Sequence, residues 1–366
     1  MPHVLTTKVI IAHESGFVNP FFAFSDKYFF AARRHCIRRF YALQYQQTFV
    51  SILPNLEEMI MMFVADAHCD TLSGIARWNR KMDDCTVTLE RMQQGGVGLQ
   101  TFAMFAGGKG PAGTPYQDAK KMLAASYELP LEIIRGKLPD APPQNPTGIL
   151  SIEGGEVIVG SLEKLAEFDD DTRIRMISLT WNNENEIAYP GKGGSDQPLK
   201  PFGVELLKEM DRRGILADVS HLNDAGFWDV CERSALPPVA THSNCRWICG
   251  HSRNLTKDMV KAVIDKKGFI GINFYSAFLA DDGNATLDHV LRHIDELFEL
   301  GGEDVVGFGS DFDGIDAWPE GLANPADFPN LLNLLAQHGY TQTQLEKIAG
   351  LNLWRVLKQA DAARAI

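Results

Sequence analysis

Eight short runs of apolar, β-forming residues alternate along this chain with longer stretches of helical periodicity. The runs are residues 63–67, 98–105, 148–152, 174–180, 214–219, 237–241, 268–274 and 304–309. Strands that are apolar on both faces and separated by helices form parallel sheets that are covered on both sides. The alternation therefore restricts the fold to the α/β class.

The stretches between the runs carry the 3.6-residue period of amphipathic helices. Helices are predicted over 117–136, 201–213, 254–267 and 285–300, with further helical packing over 321–366. Eight βα units in about 300 residues predict a (β/α)8 TIM barrel of the α/β class. A doubly wound open sheet is the alternative, but the GxGxxG turn typical of that fold does not follow the first run.

Charge and composition argue against several classes of partner. The chain has 47 acidic and 35 basic residues and a net charge of −12, so nucleic acid or an anionic membrane surface would be repelled on average. No apolar run reaches the roughly 18 residues of a membrane span. The six cysteines include no CxxC pair, and we therefore expect a reduced, cytoplasmic setting.

Residues 1–58 differ in composition from the rest of the chain. They hold 11 of the 35 aromatic residues, one glycine, and more basic than acidic side chains. A basic amphipathic helix over 28–45 that lies on a membrane is one interpretation. We favour an extension over 1–58 that is disordered or precedes the true start, followed by a single barrel domain over 59–366.

Metal-binding side chains are concentrated at the carboxyl ends of the predicted strands. His68 and Asp70 are two residues apart and share a face of the first strand. Glu153 ends the third and is followed by two glycines, which we expect to leave open space and to permit unusual backbone angles. His221 and His242 follow the fifth and sixth. In a barrel, all carboxyl ends meet at one mouth, where barrel enzymes carry their chemistry.

The five side chains form a mixed nitrogen and oxygen donor set. Such a set is typical of zinc, and also of manganese or cobalt. A single catalytic zinc takes about three protein ligands and a water, whereas two ions about 3.5–4 Å apart can share a carboxylate and a hydroxide. The strand ends therefore predict a two-metal site for hydrolysis.

Other polar residues near these ends have structural interpretations. Asp66 is expected to cap a turn, and Cys69 to point into the barrel wall. Asp313 either joins the site or forms an Asx turn beside Gly314. Four further histidines lie in predicted loops or helices and are expected at the surface: His251, His289, His293 and His338.

Seven motifs at these strand ends follow one another in a fixed order between Phe63 and Val356. They are DAHCDT at 66–71, SIEGGE at 151–156, DVSH at 218–221, THSN at 241–244, SRNLTKD at 252–258, NFY at 273–275 and GFGSDFDG at 307–314. These sequences resemble the renal dipeptidase family, also called membrane dipeptidases or peptidase family M19. The resemblance implies a metal-dependent hydrolase barrel with two zinc ions. Such an enzyme would hydrolyse small dipeptides, including those with a C-terminal D-residue, by a metal-bridging hydroxide.

The resemblance also implies metal-binding roles for the strand-end residues. His68 and Asp70 would bind one zinc, His221 and His242 the other, and Glu153 would bridge the two ions.

Roles toward the substrate follow from the same resemblance. Asp311 would take the proton of the attacking water and return it to the leaving amine. Arg253 would hold the free carboxylate of the substrate, although its residue type alone also suits a solvated loop arginine. Tyr275 is a candidate for the pocket wall or for the core.

One position departs from the family pattern. Members of the mammalian type carry a histidine where Trp181 stands, and an indole can donate a hydrogen bond but cannot accept one. Either Trp181 lines the substrate pocket, or Asn182, Asn183 or Asn185 supplies the missing donor.

Two other functions stay open at this point. The metals could act on another small amide, an acyl amino acid or a lactone, or the barrel could be an inactive binding protein. The oligomeric state is also open, with a homodimer as one candidate.

Overall fold

Eight parallel strands close into a barrel in the computed structural model, which describes residues 62–107 and 113–365. Residues 1–58, predicted as an extension, lie outside the described residues. All described residues fall within one unit, Leu53–Ile366. In chain order the strands are β1 (Val64–Cys69), β2 (Val97–Phe105), β3 (Glu132–Ile133), β4 (Thr147–Glu153), β5 (Met176–Ser178), β6 (Leu216–Asp218), β7 (Val239–Ala240), β8 (Phe269–Ile272) and β9 (Val306–Phe308).

Backbone pairing runs in the order β1-β2-β4-β5-β6-β7-β8-β9 and returns from β9 to β1. The short strand β3 is not a barrel member and pairs in parallel with the start of β4. All eight predicted strands are present, and the predicted (β/α)8 TIM barrel is confirmed.

Helices connect the strands and pack on the outside of the barrel, as this fold requires. They are α1 (Thr71–Trp78), α2 (Leu89–Gln94), α3 (Pro115–Ala125), α4 (Leu162–Asp169), α5 (Pro201–Arg213), α6 (Asp224–Arg233), α7 (Lys257–Asp265), α8 (Ser276–Leu279), α9 (Leu287–Glu299), α10 (Phe328–His338), α11 (Gln342–Glu346) and α12 (Asn352–Ala363). Among the described residues, no helix is long and apolar enough to cross a membrane.

Local sequence explains where these helices begin. Thr114, Ser161, Asn223 and Thr256 each precede a helix, and each side-chain oxygen accepts a hydrogen bond from a backbone N–H of the first turn. The strand residues are buried almost throughout, so the core lies inside the barrel and between the barrel and its helices. This packing fixes the positions of the strands, and their carboxyl ends lie together at one rim of the barrel.

The helix predicted over 117–136 is too long. Helix α3 ends at Ala125, and the hydroxyl of Ser126 donates to the Leu123 carbonyl 2.6 Å away, which competes with continuation of the helix. Pro130 disfavours helical geometry in the residue before it. The remainder of the predicted helix contains β3.

The prediction that His293 lies at the surface is wrong. Its side chain is fully buried on the inner face of α9, where Nδ1 accepts from the Cys245 N–H at 3.1 Å. Its Nε2 lies 3.1 Å from the Leu279 carbonyl. Burial lowers its pKa to about 4, so this imidazole is a neutral link between segments of the core.

Candidate metal centre

The five predicted ligands converge at the carboxyl ends of four strands. His68 lies in β1 and Asp70 directly after it, Glu153 is the last residue of β4, and His221 and His242 follow β6 and β7. All five are buried. Residues that are up to 174 positions apart in sequence therefore form one cluster.

Glu153 lies at the centre of this cluster. Its Oε1 is 3.0 Å from His221 Nε2 and 3.7 Å from His242 Nε2. Its Oε2 is 3.3 Å from His68 Nε2, which is itself 3.6 Å from Asp70 Oδ2. The two carboxylate oxygens thus face two different groups of donors, as a bridging ligand requires.

The donor atoms fit metal ions. His221 Nε2 and His242 Nε2 are 3.1 Å apart, close to the separation of about 3.3 Å between nitrogens bound tetrahedrally to one zinc. His68 Nε2 and Asp70 Oδ1 are buried, and no hydrogen-bond partner for them is found in the described part of the chain. Such buried polar atoms are costly unless a ligand satisfies them.

Burial and mutual charge shift the pKa values of the cluster. Burial raises the pKa of Glu153 to about 8, against the opposing attraction of His68. Burial alone would lower the pKa of His68, but attraction from the carboxylates of Glu153 and Asp70 raises it well above its usual value. Burial, followed by nearby cations, lowers the pKa of His221 and His242 well below normal. Both Glu153 and His68 therefore tend to stay protonated without a metal, and a bound cation would displace these protons.

Asp311 lies beside the cluster, three residues after β9. Its Oδ1 is 3.9 Å from His68 Nε2, and its Oδ2 accepts a hydrogen bond of 2.8 Å from Asn273 Nδ2. Burial raises the pKa of Asp311 to about 6. The sequence did not single out Asn273, although it directly follows β8 and the strand-end rule would have found it.

Two site residues have backbones in the left-handed region that favours glycine. The φ angles of His221 and Asp311 are +68° and +64°. Such conformations cost about 1–3 kcal/mol in side-chain-bearing residues and are concentrated at functional sites. Both side chains reach the cluster, His221 at 3.0 Å from Glu153 and Asp311 at 3.9 Å from His68.

Asp66 lies within β1 and not in a turn, although its Oδ1 also accepts a long hydrogen bond of 3.4 Å from His68 N. Its carboxylate accepts hydrogen bonds from Ser310 N at 2.8 Å, from Ser310 Oγ at 2.6 Å and from Gln100 Nε2 at 2.9 Å. It therefore ties the end of β1 to the end of β9, which carry the predicted ligands and Asp311. Cys69 is buried in the barrel wall, as predicted.

Asp313 neither contacts the cluster nor forms a local Asx turn. Its carboxylate accepts from the Thr71 hydroxyl at 2.6 Å, from Thr86 N at 2.6 Å and from Val87 N at 3.2 Å. It holds the loop after β9 against the segment that follows α1.

The two glycines after Glu153 are required for different structural reasons. Gly154 has a φ of +91°, so the predicted unusual backbone angle is present. The predicted open space is wrong, because a Cβ on Gly155 would lie 2.1 Å from the Ile187 side chain and 2.8 Å from the Leu179 carbonyl. The second glycine is needed for close packing.

A cavity of about 650 Å³ opens above the cluster. Four aromatic side chains line it: Trp181, Tyr275, Phe105 and Phe278. The Trp181 and Phe105 rings have centroids 5.0 Å apart. The cavity thus has an acidic floor and an aromatic wall.

The three asparagines after Trp181 differ in position. Asn182 lines the cavity, and its Oδ1 lies 3.1 Å from His221 Nδ1. Asn185 is buried and bonds to Leu179, Ile187 and Ala188 instead, which makes it a structural residue. Asn183 is exposed and does not line the cavity.

Arg253 is buried next to His242. Its guanidinium lies 3.2 Å from the His242 carbonyl and 3.4 Å from Ser243 Oγ, with Cζ 5.5 Å from the centroid of the Phe278 ring. Its Nε is buried, and no hydrogen-bond partner for it is found in the described residues. Burial lowers the pKa of Arg253, partly offset by attraction from Asp311 and Glu153. Phe278 lines the cavity, and Arg253 packs against its ring without being among the lining residues.

Comparison with known proteins assigns this chain to a family. The family model described as membrane dipeptidase, peptidase family M19, matches residues 56–366. The chain is 37% identical over 220 residues to an uncharacterized protein in the pqqA 5′ region of Klebsiella pneumoniae, covering 55% of this chain and 81% of that protein. It is 33% identical over 219 residues to an uncharacterized dipeptidase of Schizosaccharomyces pombe, covering 59% of this chain and 53% of the yeast protein.

Two solved structures are similar over most of the barrel. A crystal structure of a metallopeptidase of family M19, dipeptidase AC, has a TM-score of 0.74 at 28% identity and covers 82% of this chain and 99% of its own. A metallopeptidase from Rhodobacter sphaeroides, bound to a phosphinate mimic of the dipeptide L-Ala-D-Ala, has a TM-score of 0.74 at 26% identity with the same coverage. By sequence and by fold, this chain belongs to the membrane dipeptidase family, peptidase family M19, and is a metallo-dipeptidase.

Proposed function

We propose that the protein hydrolyses the peptide bond of small dipeptides with two zinc ions, and that it accepts a D-residue at the C-terminal position. His68 and Asp70 would hold one ion, His221 and His242 the other, and Glu153 both. The observation that carries the proposal is the orientation of Glu153, whose two oxygens face the two pairs at 3.0 to 3.7 Å.

The metals and the protein would divide the chemistry. Bound zinc ions lower the pKa of water and polarise a carbonyl. Asp311 would accept the proton of the attacking water and deliver it to the leaving amine, since a carboxylate beside the metal ligands is placed to exchange a proton during the reaction. The hydrogen bond from Asn273 to Oδ2 leaves Oδ1 directed toward His68, where the water proton would be transferred.

The cavity supports a small substrate. Its volume of about 650 Å³ and its position above the cluster suit a dipeptide rather than a folded chain. The phosphinate mimic bound by the Rhodobacter sphaeroides relative has a D-residue at its C-terminal side. Trp181 would act as part of the aromatic wall, and Asn182 would orient His221 rather than contact the substrate.

A turnover screen of L,L and L,D dipeptides, with zinc measured on the same sample, tests this function. We expect hydrolysis, two zinc ions per chain, and loss of both on treatment with a chelator. Zinc-loaded protein that cleaves no dipeptide in the panel would exclude the proposed activity.

Asp311→Asn tests the proton-transfer role. It should retain both ions and lose at least about 100-fold in kcat, the usual effect of removing a general acid–base. Asp316→Asn is the matched control, because Asp316 lines the same cavity but has no contact with the cluster within the described residues. Equal activity of the two variants would remove Asp311 from the mechanism.

A further inference from the structure

Asp218 is a buried carboxylate at the end of β6 and is not one of the five predicted ligands. Its Oδ1 accepts from two backbone donors, Ser220 N and Thr241 N, each at 2.9 Å. Its Oδ2 accepts from two hydroxyls, Thr241 Oγ1 at 2.7 Å and Ser178 Oγ. Four donors therefore surround one carboxylate, which is the full acceptor capacity of its ionised form.

The hydroxyl of Thr241 connects this carboxylate to a predicted metal ligand. Thr241 Oγ1 lies 2.8 Å from His242 Nδ1, on the side of the ring opposite to Glu153. A hydroxyl has one proton, and its other neighbour, Ser220 Oγ, is farther away at 3.4 Å. Of the two close acceptors, Asp218 Oδ2 at 2.7 Å and His242 Nδ1 at 2.8 Å, the charged carboxylate forms the stronger hydrogen bond, so the Thr241 proton lies on the side of Asp218.

The tautomer of His242 follows from this assignment. Because Thr241 Oγ1 donates to Asp218, it can only accept from His242 Nδ1. Nδ1 must then carry the proton, and the lone pair of the neutral ring is at Nε2. This is the atom that faces Glu153 Oε1 and His221 Nε2, at 3.7 and 3.1 Å.

We propose that Asp218 is a positioning residue that acts through the Thr241 hydroxyl to hold His242 in the tautomer able to bind a metal ion at Nε2. The proposal rests on the proposed function, in that His242 is taken as a ligand. It assigns the ion at His221 and His242 an outer support that differs from the other half of the site, where Asp66 bonds to Ser310 and Gln100 instead.

The substitution Asp218→Asn has a definite consequence, because the two sides of the carboxylate differ. The donors at Oδ1 are backbone N–H groups that cannot turn away, whereas both donors at Oδ2 are hydroxyls that can rotate. The amide oxygen must therefore occupy the Oδ1 position and the NH₂ group the Oδ2 position. The NH₂ group then donates to Thr241 Oγ1, the hydroxyl donates to His242 Nδ1, and the proton of the ring moves to Nε2.

Four variants test this relay: Asp218→Asn, Thr241→Val, the double variant, and Ser178→Ala. Ser178→Ala is the matched control, because it removes a hydrogen bond from the same oxygen of Asp218, and Ser178 contacts no imidazole within the described part of the chain. Zinc affinity would be measured for each ion by competition with a chelator. The His242 tautomer would be measured in metal-free protein by long-range ¹H–¹⁵N NMR of labelled histidine, which does not depend on activity.

We expect Asp218→Asn to bind the zinc ion at His221 and His242 about 10- to 100-fold more weakly and to retain the ion at His68 and Asp70. His242 of this variant should be protonated at Nε2. In the Thr241→Val background, Asp218→Asn should alter zinc affinity by less than about threefold. The reason is that valine has no hydroxyl that could change from acceptor to donor toward His242. Ser178→Ala should stay within about threefold of the wild type.

Two results would overturn the proposal. One is an equal loss from Asp218→Asn in the presence and absence of the Thr241 hydroxyl, and the other is an unchanged His242 tautomer. If Asp218→Asn does not fold, Thr241→Ser against Thr241→Val decides, since only the serine variant retains the hydroxyl and the wild-type tautomer. A wild-type protein that binds no zinc and cleaves no dipeptide would refute the proposed function, while the tautomer measurement would still report on the relay.

Discussion

Gly314 lies at the rim of the metal cluster, and replacing it with alanine should disable one half of the site. A Cβ at this position would lie 2.0 Å from Asp70 Oδ2 and 2.7 Å from Asp311 Oδ1. Its φ is not in the left-handed region, so the backbone itself accepts alanine. The added methyl group of Gly314→Ala would therefore force the carboxylates of Asp70 and Asp311 to move.

The required displacement can be estimated from the contact distances. Ordinary van der Waals contact begins near 3.4 Å, so Asp70 Oδ2 would have to move by about 1.4 Å. Ligand distances in metal sites are defined to about 0.2 Å, and a displacement of about 1 Å in a catalytic site costs about 100-fold in rate. We expect kcat/KM for a dipeptide to fall at least about 100-fold, which corresponds to about 2.7 kcal/mol.

Zinc content, kcat/KM and thermal unfolding would be measured for Gly314→Ala and for Gly136→Ala. The control makes the same chemical change at an exposed glycine where the added Cβ meets nothing within 4 Å. We expect the control to match the wild type, and Gly314→Ala to retain its fold while losing the ion bound by His68 and Asp70. Two zinc ions and wild-type turnover in Gly314→Ala would refute the arrangement of Asp70 and Asp311 described above.

Three further predictions follow from the site. Arg253→Gln should raise KM sharply for free dipeptides and change it little for substrates without a carboxylate; equal effects on both classes would exclude carboxylate recognition. Since burial raises the pKa of Glu153 to about 8 in the metal-free protein and the neighbouring carboxylates raise that of His68, zinc must displace at least one proton, and its affinity should rise at least about tenfold per pH unit below pH 8. Chelator competition between pH 6 and 8 measures this slope, and a flat profile would contradict it. Asp313→Ala removes three hydrogen bonds and should destabilise the fold by about 2 kcal/mol in chemical denaturation with zinc content unchanged, whereas loss of zinc would make Asp313 part of the site.

Much of the site is predictable from sequence, because each ligand stands at the end of a strand and the barrel brings all strand ends to one rim. The alternation of β-rich and helical runs determines that strand ends meet at one rim, and His68, Asp70, Glu153, His221 and His242 each stand at or just beyond such an end. Their convergence needs no knowledge of individual contacts.

The orientation of neighbouring acids could not be predicted in this way. Asp66, Asp218, Asp311 and Asp313 all stand near strand ends, but only Asp311 faces the cluster. Its direction depends on a left-handed backbone at φ +64° and on a hydrogen bond from Asn273, which belongs to another strand. Asp66 and Asp218 instead accept hydrogen bonds from the adjoining strand ends.

The sequence by itself determined the barrel, its rim and the residue types gathered there, because a strand pattern and its end are properties of neighbouring residues. Only the tertiary structure decided that Arg253 packs against Phe278, that His293 is buried, and that the Thr241 hydroxyl lies between Asp218 and His242. These contacts join segments that are distant in sequence, and their geometry depends on how the loops that connect the strands fold over the rim.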